Sequence, residues 1–149
     1  MPKPFSLQAV LDLMQNRSDE ATQRLARLMA TERDAQSKLR MLEEYRDDYS
    51  ERFRKAVQGG LRQPEWRNYQ EFLKRLDEAI DQQFQAVRQQ QSQTASGQAD
   101  WQQQRTRLQA FDALFERHRS SEAKLEGRQE QKAQDELAAR RKHDKDDDE

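Results

Sequence analysis

His118 and His143 are the only imidazoles in the chain, and there is no cysteine. Imidazole is the usual general base and metal ligand near neutral pH. Neither histidine has metal-ligand spacing to a partner, and His143 sits beside aspartates at a charged end, where a solvated tail is the plain reading. The 28 Asp and Glu residues fall at helical spacing beside Lys and Arg. That is the ordinary arrangement of a solvated helical surface. There is no glycine-rich phosphate loop and no nucleophile elbow. No catalysis, cofactor, metal or small-molecule substrate is expected. What remains is recognition. Phe72 and Ala79 lie seven apart beside Leu76, and Gln83 continues the line. A helix that docks on a partner uses this kind of spacing. The competing reading is that Phe72 folds over the edge of a buried seam.

Such a track needs a long helix to carry it, and the composition supplies one. Charged residues make up 37% and hydrophobic residues 33%, with only 4 glycines and 3 prolines. Helix formers with few breakers indicate long helices or coiled coil, burying a narrow seam in place of a thick core. The net charge of -1 provides no basic field for nucleic acid. No apolar run suits a secretory signal or a transmembrane helix, so a cytoplasmic protein is expected.

The strongest break is Gln58-Gly59-Gly60-Leu61-Arg62-Gln63-Pro64. Gly59 and Gly60 can take the left-handed angles that close a helix. Pro64 suits the first turn of the next one. The predicted fold is all-α, a long antiparallel two-helix coiled-coil hairpin within residues 1–141. Helix 1 covers about 6–57 with Ser6 as its cap, the turn 58–64, and helix 2 about 65–140. A disordered acidic tail is expected over 142–149.

Apolar residues recur at alternating steps of four and three along both arms, from Leu7 to Ala56 and from Trp66 to Phe115. That is a heptad seam. Ser18, Glu32 and Arg46 interrupt it in the first arm, and glutamine and small residues soften it between Gln82 and Asp100. If the bend centres on Leu61, facing residues have numbers summing to roughly 122. Ala21 then meets Trp101, Ala56 meets Trp66, and the polar interruptions Ser18 and Glu32 meet Gln104 and Gln90. Agreement among independent layers favours a monomeric hairpin over separate helices. Two pairs fit less well: Leu25 faces Gly97, and Arg46 faces Leu76. Residues beyond about Arg119 have no partner.

The blocks flanking the turn, Leu39-Arg-Met-Leu-Glu-Glu-Tyr-Arg-Asp-Asp-Tyr49 and Trp66-Arg-Asn-Tyr-Gln-Glu-Phe-Leu-Lys-Arg-Leu-Asp-Glu-Ala-Ile80, resemble the FliJ family of the flagellar type III export apparatus. The resemblance implies a two-helix coil similar to the stalk of the rotary ATPase γ subunit. It also implies three partners: the hexameric export ATPase, whose central hole the stalk would engage, the cytoplasmic linker of the export gate membrane protein, and empty export chaperones. The family's gate contact maps onto Phe72, Leu76, Ala79 and Gln83, with Gln83 standing where the family usually has histidine. By the stalk analogy the ATPase contact lies where the termini meet, along Leu13 to Leu25 and Leu108 to Leu125. Peripheral association with the inner membrane and a part in flagellum assembly, motility and chemotaxis are implied likewise. Alternatives are the stalk of a virulence-type secretion system and a generic coiled-coil scaffold.

Overall fold

The computed structural model describes residues 3–147. They form two helices, α1 (Lys3–Gln58) and α2 (Gln63–Asp147), with no strand among the described residues. The two pack against each other as the expected antiparallel hairpin. α1 begins at Lys3, three residues before the expected cap at Ser6. Pro4 accounts for the earlier start, because proline is at home in a first turn.

The bend is tighter than the sequence suggests. Gly59 N–H still donates to Lys55 O at 3.2 Å, and Gly60 N–H donates to Val57 O at 3.2 Å. Gly60 alone takes a positive φ, 85°. The left-handed step therefore belongs to Gly60, while Gly59 finishes the last helical turn. α2 restarts at once: Trp66 N–H donates to Arg62 O at 3.0 Å. Pro64 sits in this first turn, where its missing N–H deprives the helix of nothing. At the far end α2 is helical through Asp147, about two turns beyond the expected limit near residue 140. Residues 148 and 149 of the expected acidic tail lie outside the described residues.

The heptad seam is where the sequence places it. From Leu7 to Ala56 every seam position of α1 is shielded or half-shielded, and so is every one from Tyr69 to Phe115 in α2. Trp66 is the exception, still 39% exposed although its ring lies 5.1 Å from that of Phe53. It stands in the first turn of α2, where the bend leaves one flank uncovered.

By packing, the chain divides into two units. The unit Ser18–Gln104 contains the turn and the most shielded residues, Ala21, Leu76, Val87 and Ser18. Next to the turn its layers are aromatic. Tyr49 packs on Phe72 with ring centroids 4.3 Å apart and on Tyr69 at 5.3 Å, and Phe53 meets Tyr69 at 5.4 Å. Away from the turn the layers become polar. Gln83 Nε2 donates to Ala35 O at 3.0 Å, and Trp101 Nε1 donates to Thr22 Oγ1 at 2.9 Å. Thr22 Oγ1 passes its own hydrogen to Ser18 O at 2.9 Å. Gly97 resolves the ill-fitting Leu25 pair: a Cβ there would lie 2.5 Å from Leu28 Cδ1 and 3.9 Å from Leu25 Cδ1. Both leucines close over the bare backbone. Arg46 resolves the other, lying half-shielded with Nε bonded to Asp77 Oδ1.

The second unit comprises α1 up to Arg17 and α2 from Arg105. Its seam is short, with Leu7, Leu11 and Met14 half-buried on α1 and Leu108, Phe111, Phe115 and His118 on α2. From Arg119 to Asp146 every residue is exposed. No coiled-coil partner covers this stretch of α2, as its numbering requires.

Candidate protein-interaction surfaces

Side chains at heptad seam positions point across to the partner helix, while those at the two flanking positions cover its edges. This geometry separates the four residues of the recognition track. Leu76 and Gln83 are seam residues. Leu76 is 8% exposed, and Gln83 is tied to the Ala35 carbonyl. Since a carbonyl only accepts, this contact also fixes which end of the amide faces α1. Phe72 and Ala79 lie on the flank and are half-exposed.

Phe72 is held by two rings of α1, stacking obliquely on Tyr49 and meeting the edge of Tyr45 at 6.2 Å. It thus folds over the edge of the seam while keeping an open side. Tyr45, 50% exposed, extends the same flank from α1. The seam walk omits Tyr45 because it lies one residue off the seam. Its signal was available all the same, since equivalent flanking positions of antiparallel helices face each other. Arg24 and Asp100 show the same geometry at 3.1 Å.

Burial, with help from the neighbouring Tyr69 and Tyr45, holds the Tyr49 phenol above its ordinary value. Hydrogen bonding to Asp77 raises Arg46, which strengthens an already permanent charge. Neither shift creates a reactive group. The hollow lined by Phe53, Val57 and Trp66 is open to solvent. Among the described residues no group of three or more His, Asp or Glu converges as metal ligands. His118 Nε2 is shielded and lies 3.0 Å from Glu122 Oε1, an attraction that operates when the ring is protonated but lacks hydrogen-bond alignment.

The terminal unit offers a different surface. Leu13 is 46% exposed, Leu114 51% and Leu125 56%. Apolar side chains exposed on a charged helix are what helix-in-groove recognition uses as anchors. No helix among the described residues is long and apolar enough to cross a membrane.

A family model described as "Flagellar FliJ protein" matches residues 2–146. The chain is similar to the flagellar FliJ protein of Escherichia coli (strain K12), with 29% identity over 140 residues, 94% of this chain and 95% of that one. It is similar likewise to the flagellar FliJ protein of Salmonella typhi, with 28% identity over 140 residues and the same coverage.

Proposed function

We infer the role from the family: this chain belongs to the flagellar FliJ proteins, and we propose that it is the coiled-coil stalk that engages the central hole of the hexameric export ATPase. Membership makes it a structural protein of flagellar export and not an enzyme. The match from residue 2 to residue 146 carries the reading, because it spans both arms and the turn. The exposed Leu13, Leu114 and Leu125 support the terminal unit as the ATPase contact. A stalk that must re-register within a ring needs numerous weak polar contacts, and the charged surface of α2 beyond Arg119 suits that.

The export gate linker is assigned to the flank of Phe72 and Ala79, with Tyr45 across from them. Leu76 and Gln83 hold that flank in place from the seam. Empty export chaperones are the third partner, and peripheral association with the inner membrane follows from the gate contact.

The test is ATP turnover by the matching export ATPase with and without the chain. Stimulation is expected from the wild type and from Ala79→Glu, which alters the flank and spares the terminal unit. Leu13→Glu/Leu114→Glu should abolish it with helicity unchanged. Stimulation lost only in Ala79→Glu would mean the two partners are assigned to the wrong surfaces. No stimulation by the wild type would leave a plain coiled-coil scaffold.

A further inference from the structure

The bend of the hairpin concentrates positive charge, in a chain whose total is slightly negative. Between residues 51 and 67, Arg52, Arg54, Lys55, Arg62 and Arg67 stand against the two carboxylates of Glu51 and Glu65, a net +3 in a chain whose total is -1. Arg54 is occupied by Glu51 at 2.7 Å. The other four basic residues form no ion pair with any described residue. The helix ends do not decide the sign, because the C-terminus of α1 and the N-terminus of α2 oppose each other there. The side chains do.

Apolar surface is exposed at the same place. Trp66 is 39% exposed and Val57 40%, with Leu61 half-exposed between the helices. All three are at or beside the bend, and the hollow that Val57 and Trp66 line with Phe53 is open to solvent. An exposed tryptophan with short apolar neighbours and a ring of Lys and Arg is the composition of an interfacial anchor. A fluid anionic surface can accommodate a convex tip, whereas a nucleic acid needs a groove or a stacking platform that this bend lacks.

We propose that the Gly59-Gly60 bend is a membrane-contact tip that binds anionic phospholipid through Arg52, Lys55, Arg62 and Arg67, with Trp66 and Val57 entering the headgroup layer. This contact is independent of the ATPase and gate assignments above. It gives the chain a hold on the bilayer without a spanning helix.

The full-length chain is sedimented with phosphatidylcholine vesicles, with and without phosphatidylglycerol, over a range of salt. Binding is expected only with phosphatidylglycerol and should weaken as salt screens it. Arg62→Gln/Arg67→Gln should lose about thirty-fold in partitioning, at about 1 kcal/mol for each basic side chain near an anionic surface. Both positions are exposed, and unchanged circular dichroism will show that the hairpin is intact. Arg140→Gln/Arg141→Gln, which thins the basic block at the opposite end of α2, should bind like the wild type. In a Trp101→Phe background the Trp66 emission should move to the blue on binding. The proposal is overturned by equal binding to both vesicle types, by loss in the Arg140/Arg141 variant alone, or by no binding at low salt. The last result would leave an acidic protein as the tip's occupant.

Discussion

The layers beside the turn and the layers around Gly97 follow one heptad pattern and are held together in different ways. Near the turn, Tyr45, Tyr49, Phe53, Tyr69 and Phe72 form a run of ring contacts in which each ring touches at least one other. Around Gly97 the seam has glutamine, threonine and glycine, and the helices are pinned by Gln83, by Trp101 and by leucines closing on bare backbone. Aromatic layers contribute area and are tolerant of direction. Polar layers contribute less energy and more register, because a hydrogen bond fails when its partner moves by a residue. The difference teaches that the turn end supplies cohesion and the middle supplies alignment.

The widest gap between the two should appear on truncation. Phe72→Ala or Tyr49→Ala is expected to cost about 2–4 kcal/mol in chemical denaturation, the range for removing a large, partly buried ring. Gln90→Ala, in the polar middle, should cost well under that. Equal losses would erase the distinction. Crowding the middle comes next. Gly97→Leu should cost about 1–3 kcal/mol, since Leu28 occupies the space a side chain needs. Gly97→Ala should be nearly neutral, because a helix-propensity gain of about 1 kcal/mol offsets the displacement of Leu28.

Trp101→Phe removes one pin and should cost about 1 kcal/mol, with greater loss of register than of helicity. Disulfide trapping across shifted pairs would detect that slip. The aromatic end also has a pH signature. Tyr49's raised phenol keeps its proton when folded after the unfolded chain has lost it. Stability is therefore full below the ordinary tyrosine range and declines as pH rises through the raised value. Tyr49→Phe should flatten that alkaline decline. The smallest effect is expected beyond both regions. Gly127 has nothing within 4 Å of a built Cβ, so Gly127→Ala should slow local hydrogen exchange and leave the melting temperature unchanged.

Spacing alone locates the seam, because burial in a two-helix hairpin follows a single period, and the turn-centred numbering puts Leu25 opposite Gly97 and comes within one residue of the bond between Trp101 and Thr22. The spacing did not show that Gln83 would donate to a backbone carbonyl, or that Leu28 would share the gap at Gly97. Those depend on side-chain reach across the interface, which a period does not encode. Phe72 was ambiguous for a similar reason: a flanking residue is exposed or covered according to its opposite number, here Tyr45 and Tyr49. Composition puts the end of α2 near residue 140 because it measures the tendency to fray, whereas the helix runs to Asp147.

The bond from Gln83 to Ala35 O has a consequence for how such a chain can change over generations. Its acceptor belongs to the main chain, and any residue at position 35 that keeps the helix provides the same oxygen. One arm can thus vary its side chains at such a crossing without a compensating change in the other. A ring-on-ring contact such as Tyr49 with Phe72 lacks that freedom, and the two residues are bound to vary together. Mutational drift should therefore be rapid through the middle of the hairpin and slow beside the turn.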